Sequence, residues 1–374
     1  MSGMRAPAPK TALRWAAPAA FVLVVGGTGL IASTATAEPH LPPTTPEQLL
    51  VDLQNVKVDH LSGTVEEEAN LGLPAIPGTG TDSSDFNSLV SGKHSFGVWY
   101  SAPDKGRVAL YGELGESDII TNGKDRWTWS SKDNKVTHSK VPAAADRTRE
   151  PQSKPSDLPK TPQEAAQRVL KDIGPTTIVT TDSAVTVAGR PSYELVVRPN
   201  EAGSLVTEAR LAVDGETHLP LRVEVFAGTT KVFGVGFTKI NFAQPDVKYF
   251  DFTPPAGAEV TEVTPDTKKT PSKKPSTTKP RETDANAPTV VGTGWTTVVI
   301  SKVPPTTASG SPTGRPGSGG DQLEQILRQM PHVSGDWGSG RLLAGTAFSA
   351  VLTDDGRLAV GSVTPEVLYA ALKK

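Results

Sequence analysis

The chain has 374 residues, a formal net charge of −2 and no cysteine. The near-neutral charge leaves no basic footprint for nucleic acid. The lack of cysteine excludes disulfides, zinc–cysteine sites, thiol catalysis and the acylated cysteine of bacterial lipoproteins, so any core rests on packing alone.

Residues 1–37 read as an export leader. Lys10 and Arg14 precede an apolar run that includes Ala19-Ala20-Phe21-Val22-Leu23-Val24-Val25. Ala35-Thr36-Ala37 offers small residues at the positions a signal peptidase reads, which places cleavage before Glu38. The competing reading is an uncleaved anchor. The run approaches the ~20 residues needed to span, but Pro18, Gly26, Gly27 and Gly29 interrupt it.

Residues 38–260 form the main domain, opening on a proline-rich lead-in. Thr45 caps a helix from Pro46 to about Val56, with Leu49, Leu50 and Leu53 as its apolar stripe. Strands are expected at 61–70, 95–101, 107–112, 118–121, 126–130 and 135–139, separated by Gly/Pro-rich and Asn122-Gly123 turn signals, with one helical turn at 85–90. Residues 142–160 read as a charged, proline-rich loop. Thr161 caps a helix from Pro162 to Ile173, with Glu164 as the capping-box acid. Strands resume at 177–187, 192–198, 205–214, 221–227 and 231–242. Roughly ten strands with two helices argue a mainly β (α+β) fold, one large curved antiparallel sheet or half-open barrel with helices on its concave side.

At 261–289 the composition turns to Lys, Pro and Thr with no aromatic residue, which reads as a linker. Residues 290–374 read as a small α+β module with a disordered insert at about 304–320. Its expected elements are a strand at 295–300, a helix at 322–330, strands at 342–352 and 357–363 across Asp354-Asp355-Gly356, and a helix after Thr364-Pro365. It is small for independent stability, so it is expected to dock on the main domain or extend its sheet.

Several motifs in the main domain carry a resemblance. FGVWYSAPDKGR (96–107), NGKDRWTWSSKDNKV (122–136), YELVVRP (193–199), Asp214 with LPLR (219–222), and FDFTPPAG (250–257) follow one another in order. This series resembles the LolA/LolB/LppX group of lipoprotein and lipid carriers, over roughly 45–260. The resemblance implies a half-open barrel whose apolar concavity shelters acyl chains of lipids or lipoproteins. It also implies an alternative. The related regulator RseB uses a similar domain to sense lipid-like signals and restrain an anti-sigma factor, so a membrane protein or anti-sigma factor is a second partner class. Ala102 stands where LolA-type carriers have an arginine before the proline, which puts lipoprotein hand-over in doubt and leaves generic lipid binding or sensing open.

Strand parity supplies a candidate lining. Phe96, Val98 and Tyr100 share a face, as do Trp127 and Trp129, Val223 and Val225, and Phe233, Val235 and Phe237; Val108 and Leu110 complete the set. If every such face is concave, the twelve residues form one apolar wall for an acyl chain. The competing reading is ordinary sheet core beneath the helices.

No catalytic constellation accompanies them. His40, His60, His94, His138, His218 and His332 lack metal-site spacing, and no Gly-x-Ser-x-Gly elbow occurs. In Glu66-Glu67-Glu68 only Glu66 and Glu68 share a strand face, which reads as a solvated edge. The expectation is a non-enzymatic binding protein without cofactor or metal.

Overall fold

Thr45 starts the first helix as its sequence dictates. Its Oγ1 accepts the Gln48 N–H at 3.1 Å, and Pro46 takes the first helical position, where a missing N–H costs nothing. This helix, α1 (Pro46–Gln54), stops short of the expected Val56 because Asn55 leaves helical geometry and turns its N–H back to Asp52. The computed structural model describes residues 41–56, 58–72, 83–141, 162–263, 288–302 and 330–373, all within one unit, Pro39–Lys374. The leader, the Thr161 cap, the loops expected at 73–82 and 142–160, the tract 264–287, the insert 304–320 and, apart from Met330, the helix expected at 322–330 lie outside the described residues.

Two meanders make the main sheet. The first is β1 (His60–Ala69), β2 (Gly92–Ser101), β3 (Lys105–Gly112), β4 (Gly115–Asn122), β5 (Asp125–Ser130) and β6 (Lys135–Lys140). The second follows α2 (Pro162–Ile173): β7 (Thr177–Val187), β8 (Arg190–Pro199), β9 (Glu208–Asp214), β10 (Pro220–Ala227) and β11 (Thr230–Asn241). Antiparallel pairing of β1 with β11 joins the two at the centre. A twelfth strand, β12 (Glu259–Val263), adds in parallel beside β6, in a stretch where the composition had already turned toward the linker. The order is β12-β6-β5-β4-β3-β2-β1-β11-β10-β9-β8-β7, with β12 and β7 as edges, so the sheet is large and not closed.

Helix α1 covers one face of the second meander. Leu49 is fully buried among Tyr193, Leu195 and Val213, with Leu50, Leu53, Val179, Val197 and Leu211 around it. Gln167 of α2 donates to Glu47 of α1 at 2.7 Å, tying the two helices together.

The C-terminal module makes its own six-stranded sheet. Its strands are β13 (Thr289–Val291), β14 (Val298–Lys302), β15 (His332–Gly335), β16 (Gly338–Ala344), β17 (Ser349–Thr353) and β18 (Arg357–Gly361), followed by α3 (Pro365–Leu372). Two expectations change here. The strand expected at 342–352 is two, because the Gly345 N–H turns back to Phe348 O. Trp295 sits in a 3-10 turn before β14 rather than in the strand. Val298, Val351, Ala359, Val363, Leu368 and Leu372 build a separate core, and Trp337 stacks on Tyr369 at 5.2 Å.

The module docks instead of extending the large sheet. Leu205 N–H bonds Ser362 O and Thr364 N–H bonds Gly203 O, each at 2.9 Å. Glu201 accepts the N–H groups of Trp295 and Thr296 at 2.7 and 3.0 Å, while Trp295 Nε1 donates to Thr177 Oγ1 at 2.9 Å. One carboxylate thus satisfies two backbone donors at the joint. Glu201→Ala removes both bonds at this half-buried joint, at ~0.5–1.5 kcal/mol each. Hydrogen exchange should show residues 289–302 losing protection in that variant, with β8 and β9 unchanged; equal protection in both proteins would show that Glu201 does not hold the joint.

Candidate functional site

Residues opposite one another in a ladder point the same way, so the registers sort the candidate lining by face. Val98 opposes Val108 and Phe96 opposes Leu110. Phe96 also opposes Val65, which opposes Phe237. Val235 opposes Val223 and Phe233 opposes Val225; Val223 opposes Leu211, which opposes Leu195 beneath α1. With Tyr100 in phase with Val98, ten candidates share the helix-bearing face. Phe96 and Leu110 are buried, and the other eight are half-buried.

Trp127 and Trp129 lie on the opposite face. Trp127 opposes Ile120, which opposes Arg107, which opposes Trp99. The expected wall of twelve is therefore a wall of ten. The tryptophans are covered by the segment after β11. Tyr249 stacks on Trp99 at 4.7 Å, and Phe252 packs at 5.6 Å from Trp127 and 6.1 Å from Trp129. Between them Phe250 is buried. The Phe-Asp-Phe motif is thus a strap over the far face, and β12 clips its end to β6.

The helix-bearing face holds one polar group that sequence reasoning missed. Glu67 opposes Val235 on one side and His94 on the other, so it projects among apolar residues while Glu66 and Glu68 project away. It is 5% exposed. His94 Nδ1 lies 2.9 Å from Glu67 Oε2, and His94 Nε2 lies 3.0 Å from Ser88 Oγ. Ser88 is contributed by the 3-10 turn Phe86–Val90, the helical turn expected at 85–90. Burial pushes the Glu67 carboxyl above its ordinary range, with His94 opposing the shift. Glu67 Oε1 has no hydrogen-bond partner among the described residues. Such an orphan costs ~1–3 kcal/mol, so native interiors seldom keep one. The signal available in the sequence was parity: of three consecutive glutamates on a strand, the middle one must face the other way.

A serine, a histidine and a carboxylate in a row is also a hydrolase arrangement. Here the protons run the wrong way for it. The Ser88 hydroxyl donates to Asp85 O at 2.6 Å, so it accepts from His94 Nε2–H. Ser88 is fully buried, with its single proton committed to that carbonyl.

The chain is similar to proteins of the LolA superfamily and to MucB. Against the MucA/MucB complex of Pseudomonas aeruginosa it shows 14% identity and a TM-score of 0.42, covering 87% of this chain and 96% of that one. Against a LolA-superfamily protein from Nitrosomonas europaea the values are 9% and 0.22, covering 56% and 99%. Against an uncharacterized conserved protein from Thermus thermophilus they are 10% and 0.33, covering 58% and 98%. No family model and no curated protein matches the chain.

A groove of about 860 Å³ runs over β1, β2, β10 and β11, and its lining draws on both sets of residues, Glu67, His94, Val235 and Phe237 among them. Its rim includes Glu66, Glu68, Lys93, Arg222, Glu224 and Lys231. Most of these charges pair with one another: Lys93 with Glu68 at 3.3 Å, Arg222 with Glu224 at 3.3 Å. Charge at this density suits water or polar groups and opposes an acyl chain.

The clip under the strap is titratable. His138 stacks on Trp127 at 3.8 Å and bonds Asp125 at 2.8 Å and Glu262 of β12 at 2.7 Å. The bond to Asp125 first, and then Glu262, raise the His138 value above that of free histidine. A raised folded value means the proton stabilises the fold below the ordinary histidine value of about 6.5, and that stabilisation is lost as pH rises through the higher folded value. Thermal midpoints measured between about pH 5.5 and about pH 8.5 should fall with rising pH in the wild type and respond less in His138→Gln. Parallel curves would show that the clip does not depend on the proton.

Proposed function

We propose that this protein is an exported, non-enzymatic carrier or sensor that holds acyl chains of lipids or lipoproteins against the helix-bearing face of its open sheet. The observation that carries this reading is the run of ten apolar residues on that face, eight of them only half-buried. A closed core would bury them. Each methylene of a chain laid on such a surface contributes about 0.8 kcal/mol, so a long chain binds without a catalytic or charged group. The motif series that resembles the LolA/LolB/LppX group points the same way. No described helix is long and apolar enough to cross a membrane. Export rests on the leader, and intact-mass measurement of the secreted protein should give a chain beginning at Glu38; retention of residues 1–37 would support the anchor instead.

The regulatory reading, contact with an anti-sigma factor or another membrane partner, has its own support in the docked C-terminal module. That module builds a separate core and meets the main domain through short backbone joints, which leaves it surface for a partner. The two readings are compatible: a ligand on the sheet is what a sensor reports.

The acyl reading is tested with an uncharged fluorescent acyl probe. Native tryptophan emission is a poor reporter, because Trp99, Trp127 and Trp129 lie on the other face; Tyr100→Trp places one on the apolar face. The probe should bind the wild type and quench or shift the new tryptophan. Val98→Glu and Val235→Glu should each weaken binding at least about tenfold, since each buries an unpaired carboxylate, while circular dichroism stays native. A folded wild type that binds no acyl probe would assign the ten residues to plain core.

A further inference from the structure

We infer that the ligand of this face carries a hydrogen-bond donor, a hydroxyl or an amide N–H, next to its acyl chain, and that Glu67 Oε1 receives it. This rests on the acyl-binding reading above and narrows it to a class of amphiphile.

The position of Glu67 is the first ground. It lies in register with Val235 and His94, two residues from Val65 and from Ala69 on its own strand. Val65 opposes Phe96 and Phe237, and Ala69 opposes Phe233. The carboxyl therefore stands inside the apolar patch, ringed by residues of the lining itself. Val235, directly opposite, is half-buried, so the face is open to within one residue of the carboxyl.

Proton order is the second. Ser88 gives its only proton to Asp85 O, so His94 Nε2 is a donor toward Ser88. A single proton then lies between His94 Nδ1 and Glu67 Oε2. Whichever of the two holds it, Glu67 Oε1 is an acceptor and never a donor. It is buried and has no partner among the described residues. A group entering beside it gains by offering a proton. A free fatty-acid carboxylate offers only acceptors and meets acceptor with acceptor. A methyl ester offers none. The hydroxyl of a monoacylglycerol or the N–H of an N-acyl amide fits.

Competition against a bound, uncharged naphthylamine probe tests this on the full chain, with ligands of one chain length. Monopalmitin and N-palmitoylethanolamine should displace the probe at least about five-fold more effectively than methyl palmitate, the ratio expected for one added hydrogen bond, and palmitate should be weakest. Glu67→Gln keeps an acceptor oxygen and can donate to His94 Nδ1, so the ranking of monopalmitin over methyl palmitate should survive. Glu67→Leu should erase that ranking and leave methyl palmitate unchanged. Equal displacement by all ligands in the wild type overturns the donor inference and leaves acyl binding standing. Displacement by none overturns both. The wild-type series alone decides the matter if Glu67→Leu does not fold.

Discussion

An open sheet has two faces and no inside, and everything else in this chain follows from covering each face differently. A twelve-stranded open array cannot leave both faces apolar in water. One face of the first meander presents Trp99, Trp127 and Trp129, and the chain covers it with its own strap, Tyr249, Phe250 and Phe252, clipped down by β12. The same face of the second meander combines mutual ion pairs of Arg222, Glu194, Glu224 and Lys231 with a small apolar cluster of Val187, Ala212 and Leu221. The opposite face receives α1 over β7, β8 and β9. What remains, from β3 through β10, is the apolar surface left half-covered, the surface on which the proposed function rests.

Most of the fold was legible because it is written in local chemistry. Asn122-Gly123 turned the chain as expected; Thr45 and Pro46 started α1; the strands of the two meanders appeared within a few residues of where alternation put them. Two kinds of information were not local. The relative phase of neighbouring strands depends on turn geometry and pairing register, and between β2 and β5 the unshifted ladders put Trp127 in line with Ile120, Arg107 and Trp99. A pair of tryptophans with perfect internal alternation can therefore lie on either face, and here the choice went against the expected wall. The second is pairing over long sequence distance. β12 consists of exposed residues with no core signal of its own, and only its partner β6 makes it a strand.

Glu66-Glu67-Glu68 shows how the same alternation hides a buried carboxyl. Composition averages the three into a polar run. The sheet separates them: Glu68 joins Lys93 and Lys231 on the charged face, whereas Glu67 turns in toward His94. A carboxyl placed in an apolar patch is destabilising, and His94 and Ser88 offset only part of that cost. Hydrophobic burial alone has no orientation, because every methylene contributes alike wherever it lies. One fixed acceptor in an otherwise featureless wall supplies what the wall lacks: under the proposed reading it would set where the polar end of an amphiphile stops, and hence the direction in which its chain lies.

The C-terminal module is joined to strands beside that surface. Its backbone meets the main domain at Gly203, Leu205 and Glu201, in the connection between β8 and β9, and β8 and β9 are also the strands on which Leu49 of α1 packs. Leu71, just past the end of β1 that carries Glu67, accepts the Thr346 N–H at 3.0 Å. Both joints therefore spring from strands that border the half-covered face. Packed elements shift between discrete arrangements and do not deform continuously, so a ligand that changes how α1 sits on β8 and β9 acts on the same short connection that holds the module. A carrier needs only the surface; a sensor needs the surface and a lever, and the β8–β9 connection is placed to be one.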